Sequence, residues 1–317
     1  MRRTSGLVLV GLGAFFVTAA LMLRFFVLPS LLVTPIDQFA ESFARGTGTV
    51  FNPAVLEEET GVPLVAHRTL RGDVAASSKD VGVWDQSLLL EREATGELVN
   101  AYTDRVAWDR KTGEAVNCCG EAVDGEPVKH VGLSYKFPFN TEKTTYQFFD
   151  VTARKAFPMK YQASEELQGL TVYRFEQVVP PQQIGESDVP GSLVGSEEAT
   201  VTAPRWYDNV RTVWVEPLSG VIVKGAEQQH QVFRDEAGAD AVTLIEVTLT
   251  FDERTQRQQA DLAKDARSQA ALVGTWIPLA LLVLGLVLIG LAVPRLRGDA
   301  GDRTGTDGTR RRDPVKV

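Results

Sequence analysis

The 317-residue chain is poor in the side chains that most catalysts use: it has two cysteines and three histidines. His67, His130 and His230 are scattered, and the adjacent Cys118 and Cys119 with one histidine make no closed zinc set. There is no Gly-X-Ser-X-Gly elbow, no glycine-rich phosphate loop and no His-Glu-X-X-His helix. Cys-X-X-Cys spacing is missing as well, which argues against a redox catalyst. No Asn-X-Ser/Thr acceptor occurs either. With arginine far outnumbering lysine, this leans toward a high-GC bacterium. These absences leave no catalytic residue, no cofactor and no metal ligand to name, and a non-enzymatic protein is expected.

Positive charge is also short. Lys and Arg number 33 against 41 Asp and Glu, for a net charge of −8. The acid excess lies in the middle of the chain. Nucleic acid is therefore not an expected partner, because phosphate would be repelled where counterion release is needed.

What the chain does have is two long apolar runs, about Gly6 to Leu28 and Leu272 to Val293. Each can cross a hydrocarbon core of roughly 30 Å as a helix. Arg2 and Arg3 precede the first. Arg295, Arg297, Arg303, Arg310, Arg311, Arg312 and Lys316 follow the second. The positive-inside rule then predicts a two-pass plasma-membrane protein with both termini cytoplasmic and the large domain outside. A signal peptide ending at Thr18-Ala19-Ala20 is the rival reading. The apolar run continues through Leu28, which favours an uncleaved anchor. Arg24 near the outer end of the first span reads as a snorkelling side chain. Pro278 is placed to kink the second span.

The expected organisation is residues 1–5 as a cytoplasmic N-terminus, 6–28 as the first span and 29–251 as a β-rich extracytoplasmic domain. Residues 252–271 form a polar juxtamembrane helix, 272–293 the second span and 294–317 a disordered basic cytoplasmic tail. The fold class is mainly β (α+β), with antiparallel sheet flanked by one transmembrane helix at each terminus. Ile245, Val247, Leu249 and Phe251 alternate with polar residues, as a half-buried strand does. Val213 and Val215 share one face while Trp214 takes the other, and Thr212 to Lys224 reads as a hairpin around Pro217-Leu218-Ser219-Gly220. Further short strands are expected at 82–90, 145–151 and 170–178, and a loop at 180–200, which carries Pro180-Pro181 and Pro190-Gly191.

Two features are candidate sites. Cys118 and Cys119 are open to three states: a vicinal disulfide that stiffens a turn, two reduced thiols, or a bond to another subunit. The second is an aromatic run of Tyr135, Phe137, Phe139, Tyr146, Phe148 and Phe149. It reads either as core or as the wall of an apolar groove that takes a lipid.

The run Phe137-Pro-Phe-Asn-Thr-Glu-Lys-Thr-Thr-Tyr146 carries a resemblance together with Trp108-Asp-Arg-Lys-Thr-Gly113, Asn117-Cys-Cys-Gly120 and Val215-Glu-Pro-Leu-Ser-Gly220. The chain resembles the actinobacterial PorA family across nearly its whole length. The resemblance implies a cell-envelope porin and supplies no catalytic residues. Set beside the residues themselves, it leaves an envelope binding protein as the first expectation, with membrane lipids and an envelope lipid or protein as partners. A channel-forming porin, and a scaffold or envelope enzyme, are the alternatives. No oligomeric state is specified.

Overall fold

Residues 2–27 and 33–297 are described by a computed structural model. Met1, residues 28–32 and the tail from 298 onward lie outside the described residues, and with them most of the expected 294–317 segment. The chain divides into two compact units, Met1–Leu32 with Ser268–Val317, and Val33–Arg267.

The helical unit pairs α1 (Arg2–Met22), which ends in a π turn at Leu23–Val27, with α3 (Ile277–Arg297), which begins after a π turn at Leu272–Trp276. Both helices are long and apolar enough to cross a membrane. Small residues line their contact. Gly6, Gly13 and Ala20 are buried at seven-residue spacing on one, and Pro278, Gly285 and Ala292 on the other. A Cβ on Gly13 would lie 2.7 Å from the Gly285 carbonyl, and a Cβ on Gly285 would lie 2.7 Å from that of Gly13. Such close backbone approach gives helices packing energy where lipid removes the hydrophobic drive. Large side chains such as Leu7, Phe15 and Trp276 face outward.

Arg24 does not merely reach outward; its Nη1 donates to the Gly274 carbonyl at 2.9 Å. The reason lies in Pro278. Having no N–H, it deprives the carbonyl four residues earlier, Gly274, of its α-helical donor. The guanidinium of one helix thus satisfies a backbone acceptor in the other.

The β unit is one antiparallel sheet of twelve strands: β1 (Phe39–Asn52), β2 (Glu57–Gly72), β3 (Val81–Arg92), β4 (Leu98–Asp109), β5 (Ala122–Val123), β6 (Glu126–Pro127), β7 (Tyr146–Asp150), β8 (Lys155–Leu167), β9 (Leu170–Pro190), β10 (Thr200–Val215), β11 (Ile222–Arg234) and β12 (Asp240–Phe251). The order is β6-β5-β4-β3-β2-β1-β12-β11-β10-β9-β8-β7, so every neighbour except the central β1–β12 pair is a sequential hairpin partner. Many strands are longer than the sequence implied, up to 21 residues in β9. Residues 180–190, expected as a loop, continue β9. Pro180 and Pro181 sit where the β9–β10 register skips between Val179↔Asn209 and Gln182↔Tyr207. A bulge tolerates a residue with no N–H to give the ladder.

The sheet curls until its two ends are joined by the segment between β6 and β7. Trp108 pairs with Ala115, the Ala115 N–H donates to Gly132 O, and Leu133 bridges Phe148 of β7. Arg154, just past β7, pairs with Glu126 of β6. The outer face is dressed with ion pairs such as Arg105–Asp85, Arg174–Glu165 and His230–Asp208. That polar exterior is unlike the apolar belt of a lipid-facing barrel.

α2 (Glu253–Ala271) follows β12. The Asp252 carboxylate accepts from the Thr255 N–H at 2.8 Å, an N-cap. The Thr255 hydroxyl in turn accepts from the Phe43 N–H at 2.9 Å. Ala260 and Ala263 pack on Val172, Leu170 and Val223 at the outer face.

Two substitutions test these joints. Gly132 has φ +74°, and a Cβ there would collide with the Gln147 carbonyl. Gly132→Ala is expected to lose at least the roughly 1–2 kcal/mol that a left-handed backbone costs an L-residue, read by chemical unfolding of the full-length protein. Arg24→Met should lower the thermal stability of the helical pair in detergent. Pro278→Ala restores the backbone donor, so the double variant should lose less than Arg24→Met alone.

Candidate functional site

Charged residues stand in phase with the apolar residues of several strands. Arg68 shares its face of β2 with Leu64, Ala66 and Leu70. Arg211 shares its face of β10 with Val213 and Val215. Alternation therefore carries these charges to the inside of the curl. There they form one network. Arg211 Nε donates to Glu227 at 2.9 Å, Nη1 to Gln177 at 2.7 Å and Nη2 to Asp150 at 3.1 Å. Tyr207 donates to the same Asp150 oxygen at 3.1 Å, and Arg68 lies 3.9 Å from Glu227. Asp150 is fully buried, and Gln177 donates to the Phe148 carbonyl at 2.6 Å.

The balance of charge is consistent. Burial pushes the Glu227 carboxyl up, but the charges of Arg211 and Arg68 and the hydrogen bonds of Arg211 and Gln229 outweigh it and bring it down to about 2. Burial also acts to neutralise Arg211, and Glu227 and Asp150 more than offset it, so its guanidinium stays firmly charged. The space is not completely filled. The side chains of Arg68 and Glu227 keep 26% and 18% of their accessible surface although they face inward.

A second group lies toward β4. His130 is buried between Asp104, at 2.8 Å from Nε2, and Glu121, at 3.0 Å from Nδ1. Tyr135 donates to the other Asp104 oxygen. Burial lowers the imidazole pKa, yet the two carboxylates prevail and raise it above the ordinary histidine value. Beside this group Trp84, Val106, Trp108, Gly113, Ser134, Tyr135 and Lys136 surround a cavity of about 10 Å³, room for one water-sized occupant. Lys136 donates to Phe137 O at 2.9 Å and lies 3.8 Å from the Phe139 ring centroid. Burial lowers its pKa to about 7.

Five of the six aromatic residues divide between two clusters. Phe137 and Phe148, with Tyr146 beside them, pack against Phe175, Met159, Val213 and Val215; the Phe137–Phe175 centroids are 4.8 Å apart. Phe149 and Tyr135 join Val123 and Val151, and the Phe149 ring lies tilted against His130 with centroids 4.3 Å apart. Phe139 is half-buried under Lys136. Phe137, Phe148 and Phe149 are buried, while Tyr135, Phe139 and Tyr146 are half-buried. Cys118 and Cys119 form a disulfide, with Cys119 at φ +64°, and the Cys119 carbonyl accepts from Arg105 Nε at 3.1 Å. Among the described residues no group of three or more His, Cys, Asp or Glu is arranged to hold a metal ion.

The sequence motifs meet in space. Phe137 N–H donates to Gly220 O, Asn140 N–H to Leu218 O and Thr141 N–H to Pro217 O. A Cβ on Gly220 would strike the Phe137 carbonyl, and one on Gly113 would lie 3.0 Å from that of Lys136. Buried Glu216 holds the turn by accepting from the Ser219 N–H and hydroxyl at 2.8 and 2.7 Å.

The family model described as Porin PorA matches residues 5–293, taking in both apolar helices and the whole sheet. The chain belongs to the PorA family. It is 27% identical to the Porin PorA of Corynebacterium amycolatum, over 91% of this chain and 97% of the relative. The Porin PorA of Corynebacterium resistens is also 27% identical, over 63% of this chain and 67% of that one. A crystal structure of a lipoprotein from Parabacteroides distasonis aligns with 70% of this chain and 97% of its own at 8% identity and a TM-score of 0.21, a likeness that carries no argument. In this PorA-family chain the sequence reading missed the interior charges. Their signal was charge in phase with apolar alternation.

His130 predicts a pH dependence of its own sign. A pKa raised by folding contributes stability that is full below the unfolded value of about 6.5 and is lost as pH rises through the higher folded value. The full-length protein should therefore lose, above pH 6.5, a component of stability that His130→Gln lacks, read as the difference between the two unfolding curves against pH.

Proposed function

We propose that the protein is a non-enzymatic, porin-type conduit of the cell envelope, anchored in the plasma membrane by two helices with both termini in the cytoplasm. The sheet lies outside, and its interior admits hydrophilic solutes. One observation carries the reading: Arg68, Arg211, Glu227 and Gln229 line the inner face, and Arg68 keeps a quarter of its surface accessible there. A sheet built only to bury apolar area would place leucine and valine at these in-phase positions, since unpaired polar groups in a dry interior cost about 1–3 kcal/mol each. The arginines flanking both apolar runs support the orientation. The family name, Porin PorA, agrees with a conduit. A lipid-binding role would draw on the aromatic run, of which Phe137, Phe148 and Phe149 are already buried in the core, so the polar interior is the better foundation.

Full-length protein is expected to form oligomers and to give stepwise conductance in planar bilayers, the helices of several copies carrying the path across the membrane. Arg68→Cys should react with a charged methanethiosulfonate, and the reaction should reduce the current. Absence of conductance steps would remove the conduit. Failure of the cysteine to react would mean an interior closed to solutes.

A further inference from the structure

His130 stands where the two ends of the sheet meet. Its Nε2 lies 2.8 Å from Asp104 of β4, and its ring packs on Phe149 of β7 with centroids 4.3 Å apart. Asp104 also accepts from Tyr135, in the segment that joins β6 to β7. His130 is therefore a rivet across the seam, and it is only 1% exposed. A short loop ahead of β5 holds the rivet from behind. Asn117 Nδ2 donates to the His130 carbonyl at 2.9 Å. Glu121 Oε2 accepts from the His130 N–H at 3.2 Å and lies 3.0 Å from Nδ1.

Between Asn117 and Glu121 stand Cys118, Cys119 and Gly120. The loop turns back through two successive left-handed residues, Cys119 at φ +64° and Gly120 at φ +75°. Glycine takes such a backbone freely and cysteine does not. Besides a long hydrogen bond from the Glu121 N–H to the Cys118 carbonyl at 3.4 Å, two restraints hold Cys119 there. One is its disulfide to Cys118, and the other is Arg105 Nε, which donates to its carbonyl at 3.1 Å. Arg105 is fixed in turn by Asp73 and Asp85, each at 2.7 Å.

The disulfide does little as a staple. It links adjacent residues and joins no two strands. It closes the shortest loop a chain can make, for which the constraint on the unfolded chain is smallest. Its effect is local: it keeps the turn that sets Asn117 and Glu121 on His130. The bond is also within reach of a reagent. Cys119 and Gly120 are exposed and Cys118 is half-buried, whereas His130 is buried behind them.

We propose that Cys118–Cys119 is a redox latch on the seam of the sheet, locked as a disulfide and released by a dithiol reductant. A thiolate of the reductant attacks Cys119 Sγ, the S–S bond breaks, and Cys118 leaves as a thiolate that takes up a proton. The reductant's second thiol then attacks the reductant's own sulfur in the mixed disulfide, and Cys119 leaves and is protonated. Two electrons and two protons pass to the protein, and the reductant ends as a disulfide. The left-handed turn at Cys119 then lacks its covalent restraint and relaxes. Asn117 and Glu121 leave His130, which keeps Asp104 alone. The seam between β4 and β7 loosens while the rest of the sheet stays paired.

The test is reduction of folded full-length protein in detergent with dithiothreitol, followed by iodoacetamide and intact mass. No alkylation before reduction is expected, and two alkylations per chain after it, in protein that keeps its strand circular dichroism. Amides of residues 117–135 and of Phe149 should lose about tenfold or more of their hydrogen-exchange protection, with β10 to β12 unchanged. The Cys118→Ser/Cys119→Ser variant should exchange like reduced protein and give no response to dithiothreitol. Where that variant does not fold, reoxidation of reduced, unaltered protein should restore the protection. Thiols alkylated before reduction, a bond that yields only in unfolded protein, unchanged exchange around His130, or protection lost throughout the sheet overturns the latch.

Discussion

The closure of the sheet is the joint on which the rest depends. A meander of twelve strands leaves two edges, and an open edge invites pairing with another chain. Here the edges are drawn together by one irregular segment, held at Ala115, Gly132 and Leu133 on one side and at the Pro217–Gly220 turn on the other. Gly132 and Gly220 are glycines because each meets a backbone carbonyl where a Cβ would stand. Once the edges meet, inward side chains from β2, β4, β7, β9, β10 and β11 face one another, and the Arg68–Glu227–Arg211–Asp150 network exists only in that closed form.

Closure also explains what the motifs are for. The Trp108–Gly113, Phe137–Tyr146 and Val215–Gly220 segments, separated along the chain, are docked on one another. Their aromatic rings fill the core around Phe175 and Met159, where burying each Phe contributes roughly 1.5–3 kcal/mol. They are the clamp of the fold. The polar chemistry sits on the strands that the clamp brings face to face, at residues no short motif contains.

Interior charges are costly unless paired, and breaking such a pair costs roughly 3–5 kcal/mol. That their partners come from strands far apart in sequence ties specificity of the fold to its electrostatics. The helical unit solves a smaller version of the same problem. Pro278 orphans a carbonyl, and Arg24, from the other end of the chain, supplies the missing donor.

Local physics made much of this legible in the sequence. The apolar runs declare two long helices because about twenty consecutive apolar residues are enough to cross a hydrocarbon core. The alternation of Ile245, Val247, Leu249 and Phe251 declares a strand because a pleat has period two. Strand lengths were underestimated where charges such as Arg211 and Glu227 interrupt that alternation, and the Pro180-Pro181 bulge hid the middle of β9. The contacts of Arg211 with Asp150 and of Arg24 with Gly274 were decided by tertiary structure alone. A charge in phase with apolar neighbours records only that it points inward. What it meets there depends on which strands the closed sheet sets opposite, and the sequence spacing of 61 residues between Asp150 and Arg211 holds no trace of it.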